Sequence, residues 1–124
     1  FIDQAKDDSS PFFMYLSFNA PHDPRQAPKE FLDLYPIEDI KVPKNYLPQH
    51  PYFEEIGNKP GLRDEALAPY PRTKFAVKKH IQEYYAVISH LDEQVGKIID
   101  HLEKENLLEN TYVFFINIHY VFDY

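Results

Sequence analysis

The sequence has 124 residues, the usual size of one domain, and 44% of them are hydrophobic, which is enough to form a core. Its formal net charge of −7 argues against a nucleic-acid-binding protein, because such proteins present basic surfaces. The lack of cysteine excludes disulfides and zinc–thiolate sites, and no apolar run is long enough to cross a membrane. The abrupt start at Phe1 and the apolar end of the chain lead us to expect a segment of a larger protein.

The first predicted strand lies near the start of the chain. Residues 1–10 are read as the end of a helix followed by a linker. Residues 11–18, PFFMYLSF, are apolar almost throughout rather than at alternate positions. This pattern is typical of a strand that is covered on both faces, as in the parallel sheets of α/β proteins.

A long proline-rich insert follows over residues 19–71 and holds ten of the eleven prolines. Proline removes a backbone donor and fixes φ, so regular elements within the insert must be short. The stretch PKEFLDLY, residues 28–35, predicts one such short helix with proline near its first turn. Long loops in compact domains are often functional.

Residues 73–105 are predicted to form one long amphipathic helix. Its apolar residues recur at alternating spacings of four and three, which places them on one stripe: Val77, Ile81, Tyr84, Ile88, Leu91, Val95, Ile98 and Leu102. A second strongly apolar strand, TYVFFINI, is predicted over residues 111–118. The fold class is therefore α/β, with a βαβ-type unit whose strands are parallel by default.

Histidines follow both predicted strands. Because parallel strands end at the same edge of a sheet, His22 and His119 are expected at one edge, where such sheets bind ligands. A histidine there can ligate a metal, donate a proton or bind an oxyanion. His22 would equally suit a simple turn. Arg25 and Lys29 form either a small anion site beside it or a pair of solvated loop charges.

Two long stretches, PFFMYLSFNAPHDPRQAPKEFLDLY and EYYAVISHLDEQVGKIIDHLEKENLLENTYVFF, resemble the type I sulfatases, the arylsulfatase-like branch of the alkaline phosphatase superfamily. The resemblance implies that residues 1–124 are a fragment of a single sulfatase catalytic domain with part of its sheet. It implies a parent enzyme that hydrolyses sulfate esters, with sulfated glycans among the candidate substrates, in a secreted, periplasmic or lysosomal setting. It indicates no oligomeric state.

The resemblance also assigns roles to single residues. His22 matches the family histidine that contacts the sulfate ester, and it is a candidate proton donor to the leaving oxygen. Arg25 is a candidate substrate-binding residue because of its place beside His22, not because of the resemblance. His119 matches the second member of an Asp-His calcium pair, but Ile118 replaces the aspartate. The Cys/Ser-x-Pro-x-Arg motif that yields the formylglycine nucleophile is absent. We therefore expect the isolated chain to bind no calcium and to be inactive.

Two alternatives to a sulfatase remain open at this point. The chain could belong to a non-catalytic pseudoenzyme or a binding module for a sulfated ligand or a partner protein. It could also belong to a phosphoesterase of the same superfamily. The intact surroundings of His22, together with the replacement at Ile118, permit the first alternative, whereas the APHDP stretch and the spacing of the motifs favour a sulfatase.

Overall fold

The computed structural model describes residues 1–7, 10–55 and 68–116. Within these ranges it contains three α-helices, α1 (Ile2–Asp7), α2 (Lys29–Asp33) and α3 (Lys74–Lys104), and a 3-10 turn at Leu108–Asn110. The two helices predicted over 28–35 and 73–105 are thus present with slightly shorter bounds. In the part of the chain that the structure describes, no helix is both long and apolar enough to span a membrane.

Helix α3 begins and ends at recognisable capping signals. At its start, the Thr73 hydroxyl accepts a hydrogen bond from the Ala76 N–H at 3.0 Å, which satisfies one of the free donors of the first turn. At its end, Asn106 takes a left-handed conformation with φ of 58°. The Leu107 N–H then bonds the Leu102 carbonyl at 2.9 Å, and the Asn106 N–H bonds the Glu103 carbonyl at 2.9 Å. These two bonds define a Schellman motif, with asparagine at the position that glycine usually takes.

The chain divides into two compact units, and residues 17–93 form the first. Here two side chains of α3 hold the segment that follows α2. The Gln82 amide donates to the carbonyl oxygens of Leu32 at 3.3 Å and of Tyr35 at 2.8 Å. Lys78 Nζ donates to the carbonyl oxygen of Ile37 at 3.2 Å. These bonds satisfy carbonyls at and beyond the end of α2, which a five-residue helix cannot satisfy internally.

The same unit closes the proline-rich insert back onto the start of α3. The Arg72 N–H donates to the Pro48 carbonyl at 2.7 Å, and the Tyr46 hydroxyl donates to the Arg72 carbonyl. The Phe53 ring packs edge-on against Tyr70, with ring centroids 4.8 Å apart. The buried apolar residues of this unit come from the insert and from α3: Ile40, Phe53, Ala86 and Val87.

The second unit comprises residues 1–16 and 94–124. In it, α1 is joined by charged side chains to the last turns of α3. Lys6 Nζ lies 2.6 Å from Glu105 Oε2, and His101 Nε2 lies 2.7 Å from Asp3 Oδ1. Leu102 is the buried apolar residue on this part of α3.

The predicted sheet is not formed within the described ranges, where residues 11–18 and 111–116 have no regular secondary structure. Their side chains are strongly exposed, with Phe13 at 86% and Tyr112 at 92%. A strand exists only through backbone hydrogen bonds to a neighbouring strand, and the described residues provide none for either segment. The last predicted strand positions, 117 and 118, lie outside the described residues. The βαβ unit therefore stays a prediction.

Candidate functional site

His22 lies in a tight turn directly after the first apolar run. Its N–H donates to the Asn19 carbonyl at 3.0 Å, and the Gln26 N–H donates to the Pro24 carbonyl at 3.0 Å. The peptide bonds that precede Pro21 and Pro24 are cis. The turn leaves the His22 side chain 55% exposed, so the imidazole is open to a ligand.

The imidazole of His22 contacts the residue that follows it. Its Nδ1 lies 2.8 Å from the backbone carbonyl oxygen of Asp23 and 3.3 Å from Oδ1 of the same residue. Two oxygens of Asp23 thus hold one side of the ring. No motif predicts a role for Asp23, and its place next to His22 is the one signal in the sequence that indicates this contact.

Arg25 and Lys29, the two cations predicted near His22, differ in their surroundings. Lys29 Nζ pairs with both carboxylate oxygens of Asp33, one turn further along α2, at 2.7 and 2.5 Å. Arg25 is half-buried, and among the described residues its buried Nε meets no hydrogen-bond partner. A buried N–H without an acceptor is costly, so Arg25 is the better candidate for an anion ligand. Within the described ranges no hydrogen bond or ion pair joins it to His22.

The remaining predicted site residues, Ile118 and His119, lie outside the described residues. The structure therefore does not test whether His119 approaches the edge at which His22 was expected.

A groove of about 410 Å³ lies beside α3 in the unit that contains His22. Neither His22 nor Arg25 lines it. Its walls are mostly apolar, and they are formed by Leu34, Tyr35, Pro36, Asp39, Ile40, Lys41, Ile81 and Tyr85. The groove is thus separate from the predicted sulfate site.

In the other unit, a cluster of possible metal ligands joins α1 to the end of α3. The ligand atoms of Asp3, His101 and Glu105 all lie within 4.8 Å of one another. Because Asp3 lies 98 positions before His101, no spacing pattern in the sequence predicts this cluster. Lys6 already occupies the cluster: its hydrogen bond to Glu105 lowers the pKa of that carboxyl and raises the pKa of Lys6 itself.

This cluster does not fit the calcium ion that the resemblance implies. Calcium takes six to eight oxygen ligands. The cluster offers two carboxylates and one imidazole nitrogen, and the charge of Glu105 is already balanced by the Lys6 ammonium group at 2.6 Å. Its contacts are those of an ion-paired helix junction.

Comparison with known proteins gives the family of this chain. A family model described as Sulfatase matches residues 1–117. A sulfatase of Formosa agariphila is 34% identical over 116 residues, which cover 87% of this chain and 22% of that protein. The iduronate 2-sulfatase of Mus musculus is 32% identical over 129 residues, covering 95% of this chain and 23% of that protein. An arylsulfatase of Clostridium perfringens is 32% identical over 114 residues, covering 92% of this chain and 23% of that protein.

The chain spans less than a quarter of the length of these relatives. No solved structure matches it. The family match covers nearly all of the sequence and includes the turn that presents His22. The chain therefore belongs to the sulfatase family.

Proposed function

We propose that this chain is part of a sulfatase catalytic domain that hydrolyses sulfate esters, and that it contributes the histidine of the sulfate site. The observation that carries the proposal is the family match over residues 1–117, in which His22 follows an apolar run at an exposed turn. Sulfatases as a family cleave sulfate esters, which supports the reaction type.

In the proposed domain, residues 11–18 and 111–118 are strands of the sulfatase sheet. Their exposed aromatic side chains support this, because burying one such side chain is worth roughly 1.5–3 kcal/mol. The α/β fold of the family supplies the kind of sheet in which both faces of a strand are covered.

His22 would then act on the leaving group. When the bond between sulfur and the ester oxygen breaks, its electron pair moves to that oxygen, which needs a proton. A histidine can carry and release a proton near neutral pH, and such general acid catalysis typically contributes about 10²–10⁴-fold in rate.

Arg25 is proposed as a substrate-binding residue for the sulfate or for a neighbouring anionic group. The guanidinium group matches the oxygen geometry of such anions, and among the described residues its Nε meets no acceptor. Since Lys29 is paired with Asp33, it has no part in this proposal.

The substrate class is a sulfate ester, and we propose a sulfated sugar as the natural form. The name of the mouse relative, iduronate 2-sulfatase, supports a sugar substrate, whereas that of the Clostridium relative supports an aryl sulfate. The family is generally calcium-dependent, but the described residues offer no fitting calcium site, and the sequence lacks the nucleophile motif. The isolated chain is therefore proposed to be inactive.

An assay with a fluorogenic aryl sulfate tests this on the isolated chain, with and without added calcium. We expect no turnover above that of buffer. Calcium-dependent turnover would show that the chain holds a complete site and would refute the proposed inactivity. A parallel titration with a sulfated monosaccharide distinguishes a binding module: saturable binding that is lost in His22→Ala but kept in His50→Ala would favour that alternative. Turnover of the matching aryl phosphate would favour a phosphoesterase.

A further inference from the structure

We infer that Asp23 is a positioning residue for His22: it holds the imidazole with its proton on Nδ1 and turns Nε2 toward the substrate. The catalytic meaning of this arrangement rests on the function proposed above, but the arrangement itself does not. Neither the sequence pattern nor the family match assigns a role to Asp23.

The chemistry of the acceptors fixes which ring nitrogen carries the proton. A backbone carbonyl oxygen can only accept a hydrogen bond, so the 2.8 Å contact requires His22 Nδ1 to be the donor. Oδ1 of Asp23, at 3.3 Å from the same nitrogen, is a second and weaker acceptor. In a neutral imidazole the tautomer is set by the bond that one nitrogen makes, so Nε2 is left without hydrogen in that state.

The arrangement is local to the turn. Both acceptor oxygens belong to the residue next to His22, and the backbone bond from His22 to Asn19 holds the turn closed. The contact therefore needs no residue from elsewhere in a sulfatase domain, and we expect it in the isolated chain.

Other histidines of the chain have the opposite arrangement, which makes them internal references. The Tyr52 N–H donates to His50 Nδ1 at 3.1 Å, so His50 carries its hydrogen on Nε2. In His101, Nε2 lies 2.7 Å from a carboxylate oxygen of Asp3 and must be the donor. His22 thus differs from both in the nitrogen that is protonated.

The consequence for catalysis concerns the path of one proton. When His22 is charged, both nitrogens carry hydrogen, and the Nδ1–H remains bonded to Asp23. The Nε2 proton passes to the leaving ester oxygen as the sulfur–oxygen bond breaks and its electron pair moves to that oxygen. An oxygen nucleophile from outside this chain forms the new bond to sulfur and takes the sulfuryl group. The product is the neutral Nδ1–H tautomer that Asp23 already favours, so the ring needs no rearrangement after the transfer.

Long-range ¹H–¹⁵N NMR spectra of the ¹⁵N-labelled chain test the inference directly, recorded at about pH 8.5, where an ordinary histidine is neutral. We expect the Nδ1–H pattern for His22 and the Nε2–H pattern for His50 in the same spectrum. A His22 in the Nε2–H form would overturn the inference, whatever the outcome of the sulfate ester assays.

Variants separate the carboxylate from the backbone carbonyl. Asp23→Ala is expected to lower the ratio of Nδ1–H to Nε2–H at His22 about threefold, the size of a weak hydrogen bond, and Asp23→Asn to restore it through the amide oxygen. Asp33→Ala, which removes the carboxylate paired with Lys29, should leave the ratio unchanged. Equal ratios in Asp23→Ala and the native chain would overturn the positioning role of the Asp23 side chain. An unchanged His50 pattern in each variant shows that the fold is retained.

Discussion

Two regions of this molecule are similarly apolar in sequence but differ in what covers them. The segment around α2 packs on α3, where Ile40, Phe53 and Val87 are buried. Residues 11–16 and 111–116 are richer in aromatic side chains, yet most of those side chains are exposed. A helix satisfies its own backbone and needs only one neighbour to bury its stripe, whereas a strand needs partners on both edges and cover on its faces. Hydrophobicity alone therefore does not predict burial.

The largest expected effect is on the free energy of unfolding, and it is tested by truncating one side chain in each region. Ile40→Ala removes a side chain that is 92% buried in the first region, and we expect it to lower the free energy of unfolding by about 2–4 kcal/mol. Phe13→Ala truncates a larger side chain that is 86% exposed, and we expect a change within about 0.5 kcal/mol. Urea denaturation followed by the helical circular dichroism signal measures both.

The comparison depends on Ile40→Ala lowering the free energy of unfolding more than Phe13→Ala does. If Phe13→Ala cost as much as Ile40→Ala, residues 11–18 would be packed in solution, and the contrast between the two regions would be wrong.

A smaller effect is expected from the ion pair that joins α1 to α3. The pKa of Glu105 is lowered from its ordinary 4.5, first by the hydrogen bond from Lys6, so the stabilisation is present above that value and is lost as the pH falls through the lowered pKa. The pKa of Lys6 is raised from 10.5 by the same bond, so the stabilisation is also lost as the pH rises through the raised pKa. Lys6 is exposed and Glu105 is half-buried at the surface, so salt should screen the effect.

Hydrogen exchange of the α1 amides measures this pair. Exchange should speed up as the pH falls from about 7 to about 3, beyond the intrinsic pH dependence, and Lys6→Gln should remove that acid-induced change. Lys74→Gln, which removes an exposed lysine from the first turn of α3, is the matched control. If the acid-induced rise in exchange persisted in Lys6→Gln, a titrating group other than this ion pair would be its cause.

The sequence predicted those parts of the structure that depend on neighbouring residues. Helix α3 was expected over 73–105 from its apolar spacing and is found at Lys74–Lys104, between the Thr73 cap and the left-handed Asn106. The short helix α2 followed from the proline before it. The junction of α1 with the end of α3 was not predictable, because its bonds join residues 98 and 99 positions apart.

The candidate site was predictable only in part, for the same reason. The position of His22 at an exposed turn follows from the apolar run and the prolines that bracket it. The contact of its ring with Asp23 depends on side-chain rotamers, which no spacing pattern encodes. The sheet that would bring His22 and His119 to one edge requires backbone pairing between distant segments, and it stays a prediction.

Hydrolysis of a sulfate ester by the protein translated from the complete reading frame that contains this sequence tests the central claim most directly. The account predicts calcium-dependent turnover of an aryl sulfate that falls at least about 100-fold in kcat in His22→Ala, while His50→Ala retains the native rate. An unchanged kcat in His22→Ala, or a native protein that does not hydrolyse sulfate esters, would contradict it.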